Sequence, residues 1–140
     1  MAVLTRLAGA SLDSLLPGSG EQLPDGQQSS AALSAGHIVY LASDGLWKKA
    51  LATDGTAATD RAGGIVARDY GQAGGITIFC GGISFKYAAA GTLTPGIPVF
   101  LSDTTAGLLE DGPCYSGQKA IGYVESDGGS IRFWPFRFDL

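Results

Sequence analysis

Ile38-Val39-Tyr40-Leu41-Ala42-Ser43-Asp44-Gly45-Leu46-Trp47-Lys48-Lys49 is the stretch on which the fold turns. Two short runs of β-branched, aromatic and aliphatic residues flank Asp-Gly. In that dipeptide a residue tolerant of positive φ stands beside one with no Cβ to clash, so the stretch predicts a β-hairpin. The same punctuation recurs at Asp54-Gly55, Asp111-Gly112 and Asp127-Gly128. Outward from the hairpin, residues 37–42, 46–50, 64–68, 76–80, 83–87, 99–102, 120–125 and 130–136 have strand composition, with glycine-containing turns between them. Regular short strands of this kind predict an all-β body over residues 31–140, a small β-barrel or β-sandwich of antiparallel strands.

Two stretches are alike. Leu33-Ser34-Ala35-Gly36-His37-Ile38-Val39-Tyr40-Leu41 and Leu93-Thr94-Pro95-Gly96-Ile97-Pro98-Val99-Phe100-Leu101 share Leu, Gly, Val, an aromatic and Leu at constant offset. Each is followed by a similar strand pair: Gly64-Ile65-Val66 with Gly75-Ile76-Thr77-Ile78-Phe79, and Gly122-Tyr123-Val124 with Gly129-Ser130-Ile131-Arg132-Phe133. Either the chain holds a degenerate internal duplication, or amphipathic hairpins simply resemble one another.

Residues 1–30 read differently. Leu4, Leu7, Leu12, Leu15 and Leu16 recur at about helical spacing, but Gly9 interrupts them and Pro17-Gly18 stops them, which permits at most a short marginal helix. Residues 17–30 are Gly, Ser, Gln, Pro and Asp with almost nothing to bury, as in a linker or extended arm. Leucines on a waving arm would face water, so a neighbouring surface is expected to cover them. The alternative is a helix packed on its own body.

Composition narrows the function. With 45% apolar residues the chain can build a core, whereas 16% charged residues falls well short of the average of about 25%, so part of the surface is expected to be covered by other copies. A net charge of −4 and scattered basic residues argue against a phosphate-tracking surface, because nonspecific nucleic-acid binding rests on clustered Lys and Arg. Cys80 and Cys114 are too few for a zinc site or a disulfide framework and read as buried thiols from a reducing compartment. No stretch reaches signal-peptide or membrane-span length, so no membrane partner is expected.

The residues of catalysis are missing as a set. His37 is the one histidine, so a small Ser or Cys hydrolase would have to use it, yet its place at the opening of a strand suits a structural role. Residues 112–119 begin like a phosphate loop, but Gln118 occupies the lysine position and no Ser or Thr follows Lys119. Asp103, Glu110 and Asp111 fit no calcium-loop spacing and read as turn residues. No enzyme, metal or cofactor is expected.

The most pointed signal is Ile131-Arg132-Phe133-Trp134-Pro135-Phe136-Arg137-Phe138. In an extended strand Trp134, Phe136 and Phe138 share one face and Ile131 and Phe133 the other, so both faces call for burial. Pro135 lacks a donor and belongs at an edge or strand end. Trp134, Phe136 and Phe138 are therefore candidate oligomer-interface residues, aromatics being common interface anchors.

The turn-and-strand pattern resembles the small capsid decoration, or cement, proteins of tailed bacteriophages. It is carried by Ala35-Gly36 before Val39-Tyr40-Leu41 and Asp44-Gly45-Leu46, by Gly63-Gly64-Ile65-Val66-Ala67-Arg68-Asp69-Tyr70 with Gly74-Gly75 and Gly81-Gly82-Ile83, by Leu93-Thr94-Pro95-Gly96 with Val99-Phe100-Leu101, and by Ile121-Gly122-Tyr123-Val124. The resemblance implies a β-rich homotrimer made in the host cytoplasm. It would bind the major capsid protein on the outside of an expanded icosahedral shell and stabilise the virion by bridging subunits. Residues 1–30 lie outside the resemblance, and the need to cover their leucines is what makes Leu4, Leu7, Leu12, Leu15 and Leu16 a candidate capsid-binding arm. The alternative is a tail-associated or fibre-base structural module.

Overall fold

The computed structural model describes residues 2–6, 11–14, 27–29, 31–70 and 74–136. Strands in chain order are β1 (Ser11–Ser14), β2 (Gln27–Ser29), β3 (Ile38–Leu41), β4 (Trp47–Lys49), β5 (Gly64–Val66), β6 (Gly74–Ile76), β7 (Ile78–Phe79), β8 (Ser84–Lys86), β9 (Pro98–Leu101), β10 (Leu109–Glu110), β11 (Gly122–Val124) and β12 (Ser130–Phe133). Among the described residues there is no α-helix, only a 3-10 turn at Ala58–Asp60. No helix is therefore long and apolar enough to cross a membrane.

The strands form two six-stranded sheets, ordered β6-β2-β4-β3-β5-β7 and β1-β8-β12-β11-β9-β10. Pairing is antiparallel apart from a parallel bridge between Ser29 and Trp47. Neither sheet closes into a barrel. The Asp44-Gly45 hairpin forms as predicted: Gly45 takes φ 83°, Asp44 Oδ1 accepts the Leu46 N–H at 3.1 Å, and Ala42 N–H donates to Leu46 O at 2.9 Å.

Strand alternation sorts the side chains. Ile38, Ile65 and Phe79 from the β3 sheet share one core with Val99, Leu101, Leu109, Val124, Ile131, Phe133 and Phe85 from the β12 sheet. Each large side chain removed fully from water contributes about 1.5–3 kcal/mol. On its other face the β3 sheet buries a second cluster of Val39, Trp47, Val66 and Ile78, closed by Leu33, Ile76 and the half-buried Tyr70. Tyr70 also accepts the Thr77 N–H through its hydroxyl at 2.6 Å, tying down the excursion between β5 and β7.

Every run of strand composition carries a strand, but the structure adds and trims. β10 pairs Leu109 with Leu101 and Glu110 with Phe100, in a stretch too short to have a visible period. β12 stops at Phe133, because Pro135 cannot continue the ladder. In the N-terminal segment β1 lies where a marginal helix was expected, its Leu12 opposite Phe85, and β2 sits between β4 and β6. Leu4, assigned by sequence to the arm, is buried in the shared core; its N–H donates to Leu109 O at 2.9 Å, and Val3 bridges to Glu110. Leu7, Leu15 and Leu16 lie outside the described residues.

Candidate functional site

The outer face of the β12 sheet presents the exposed aromatics. Register places Pro98 of β9, Tyr123 of β11 and Arg132 of β12 side by side. Their chain neighbours Val99, Val124, Ile131 and Phe133 point into the core, so the row points away from it. Tyr123 is 38% exposed and Trp134 46%, with ring centroids 6.1 Å apart and planes tilted by 46°. Arg132 places its Nε 3.8 Å from Glu125 Oε1.

Trp134 is held by backbone contacts. Its N–H donates to Ile121 O at 3.1 Å, and the next turn of chain lies against Gly81, where a Cβ would fall 2.3 Å from Trp134 O and 2.9 Å from Pro135 Cα. Only a glycine permits that approach. Beyond Pro135 the chain folds inward: Phe136 N–H donates to Cys80 O at 2.7 Å, and the Phe136 ring packs 6.0 Å from that of Phe133. Trp134 and Phe136 therefore do not share a face, contrary to an extended reading of the terminus. Phe138 lies outside the described residues. Tyr123 escaped the sequence reading because it sits singly between Gly122 and Val124, and its alternation with those inward positions is the signal that marks it.

Beside Trp134 opens a groove of about 670 Å³, lined among others by Arg61, Leu101, Tyr115, Lys119 and Phe136. Its rim is the false phosphate loop. Gln118 there clamps its own backbone, its Oε1 accepting the Cys114 N–H at 2.6 Å and its Nε2 donating to Leu101 O at 2.9 Å. A side chain occupied in this way offers nothing to a phosphate.

The other candidate groups are committed to the fold. His37 Nδ1 accepts the Ser34 N–H at 2.9 Å, and the ring is 9% exposed. Burial, reinforced by Lys49 and Arg6 and opposed by Asp69, lowers its pKa to about 4, so the imidazole is neutral at pH 7. Asp103, Glu110 and Cys114 bring donor atoms within 4.8 Å of one another, whereas Asp111 turns away to accept the Ala2 N–H at 3.0 Å. Glu110, 3% exposed, accepts the Ser102 hydroxyl at 2.6 Å, while Ser102 Oγ accepts the Thr104 and Thr105 N–H groups at 3.1 Å. That network braces the β9–β10 turn. Burial, with Glu110 and Asp103 adding repulsion, pushes the Cys114 thiol up to about 11, away from thiolate chemistry.

Comparison with known proteins found no matching family model, no matching curated protein and no matching solved structure.

Proposed function

We propose that the chain is a non-enzymatic structural protein that works as a homotrimer on the outside of an icosahedral phage shell, where it binds the major capsid protein and stabilises the particle by bridging its subunits. The observation that carries this reading is the Tyr123–Trp134 pair with Arg132 and Pro98 on the outer face of a sheet. Half-exposed aromatics flanked by an arginine are the residue types that anchor protein interfaces. Sparse surface charge and the turn-and-strand resemblance support the same reading. His37, Cys114 and Glu110 are held in structural hydrogen bonds or burial, which suits a scaffold.

The test is co-sedimentation of the purified chain with expanded empty shells, unexpanded shells and isolated tails. Saturable retention on expanded shells is expected. Retention on tails alone would favour the tail-module reading, and retention on none of the three would overturn both.

A further inference from the structure

Two long connections from different sheets meet at the groove beside Trp134. Residues 50–63 join β4 to β5 in the β3 sheet, and residues 111–121 join β10 to β11 in the β12 sheet. The first connection brings Asp54, Asp60 and Arg61 to the groove and the second brings Tyr115 and Lys119. Tyr115 ties the two walls together. Gly55 takes φ 90°, and a Cβ built on it would fall 3.3 Å from both the hydroxyl and Cε2 of Tyr115. The Asp54-Gly55 turn therefore lets an aromatic ring from the other sheet lie against its backbone.

Each wall carries a cation, Arg61 on one and Lys119 on the other, and the first wall carries two carboxylates, so the formal charges of the lining cancel. These charges do not pair with one another. Neither the Arg61 nor the Lys119 side chain has a partner among the described residues. Asp60 instead accepts the Thr53 N–H at 2.7 Å, the Gly55 N–H at 3.3 Å and the Thr53 hydroxyl. Asp54 Oδ1 accepts the Thr56 N–H at 2.9 Å and its hydroxyl at 2.6 Å. A carboxylate has about four lone-pair sites, so both keep acceptor capacity while their own turns fix them in place. The groove thus offers fixed acceptors, unpaired donors and the half-exposed ring of Trp134.

This lining discriminates among ligand classes. A purely apolar ligand would cover Arg61 and Lys119 without pairing them, which costs free energy. A phosphate polyanion gains no net attraction where the charges cancel, and Gln118 is already closed on its own backbone. An extended peptide needs open backbone groups, but those of the rim are spent in its turn, Cys114 N–H on Gln118 Oε1 and Gln118 N–H on Tyr115 O. A sugar ring requires what is present: each hydroxyl both donates and accepts, and the C–H face of a pyranose is apolar and lies flat on an aromatic ring. At about 670 Å³ the groove falls within the range of ligand sites, about 300–1,000 Å³. We propose that it binds a short neutral oligosaccharide. Trp134 is the stacking platform, Arg61 and Lys119 donate to ring hydroxyls, and Asp54 and Asp60 accept from them. The site requires neither a shell nor a second copy of the chain.

The experiment is titration of the full chain, without shells, with neutral trisaccharides of glucose, galactose, mannose and N-acetylglucosamine, each to about 10 mM, tenfold above a Kd of about 1 mM. Tryptophan emission reads the site, because Trp47 is buried in the separate cluster behind the β3 sheet and Trp134 is the exposed one. A saturable change in emission is expected with at least one of the four. Calorimetry is then expected to show that sugar bound about tenfold or more weakly by Trp134→Ala and by Arg61→Ala, with unchanged far-ultraviolet circular dichroism. Should Trp134→Ala misfold, Arg61→Ala decides, since Arg61 is exposed and its side chain holds nothing in place. Three results would each overturn the proposal: no saturable binding of any of the four sugars, undiminished binding by either folded variant, or saturable binding of adenosine monophosphate or hexaglutamate in their place. Sugar binding by a chain that fails to bind shells would count against the preceding reading alone.

Discussion

Phe133 and Trp134 are chain neighbours in different environments: the first is wholly buried between the sheets, the second is 46% exposed on the outer face. Phe133→Ala is expected to cost about 3–5 kcal/mol, as for other buried aromatics, and Trp134→Ala under about 1 kcal/mol of the stability of the isolated chain. Urea unfolding of dilute protein checks both, and equal losses would show that Trp134 is packed in the monomer. His37 sets a pH dependence. Its folded pKa of about 4 lies below the ordinary value of 6.5, so between those values the unfolded chain binds more protons. Stability is therefore expected to be full above about pH 6.5 and to decline towards pH 4, by on the order of 3 kcal/mol from this group. His37→Asn, which keeps an acceptor for the Ser34 N–H, should flatten that slope in urea midpoints taken across the range. The isolated position of His37 was legible in the sequence; its lowered pKa was not, since that depends first on burial by distant parts of the chain and then on Lys49 and Arg6.

At the scale of elements, alternation and Asp-Gly turns located the strands, because side-chain period and turn stereochemistry are local properties. β10 and the N-terminal pairing escaped, because a two-residue strand or an isolated bridge has no period and exists only through its partner. The described N-terminal residues 2–4 run alongside β10, with Leu4 in the core and Asp111 N–H donating to Ala2 O at 3.3 Å. Leu4→Ala is therefore expected to lower stability by about 2–5 kcal/mol in thermal or urea unfolding, the range for truncating a buried leucine. An unchanged midpoint would mean that these residues act as an arm and contribute nothing to the body.

On the scale of the whole molecule, the low charge decides how an interface would respond to salt. With 16% charged residues and a net charge of −4, attachment to shells is expected to depend little on ionic strength. Raising salt from about 0.1 M to about 1 M shortens the screening length from about 10 Å to about 3 Å and would dissociate a complex held by long-range charge. Retention of the chain on expanded shells should survive that change in a sedimentation assay. A steep loss would place the contact on the scattered Lys and Arg residues.

The sequence by itself left open whether residues 33–41 and 93–101 are related, but it determined the all-β class, the positions of most strands and the Asp44-Gly45 hairpin. All of these rest on interactions within about ten residues of chain. Only the tertiary structure decided which face of each strand is covered. Ile65 lies opposite Phe79 and Tyr123 opposite Arg132, yet Ile65 is buried and Tyr123 38% exposed, because the β12 sheet covers that side of the β3 sheet and no described strand covers the outer side of the β12 sheet. The aromatic terminus divides for a similar reason. Gly81 and Cys80, distant in sequence, draw Phe136 inward after Pro135 ends the ladder and leave Trp134 outside. Burial depends on which distant surface arrives, and a local pattern of apolar residues does not encode that.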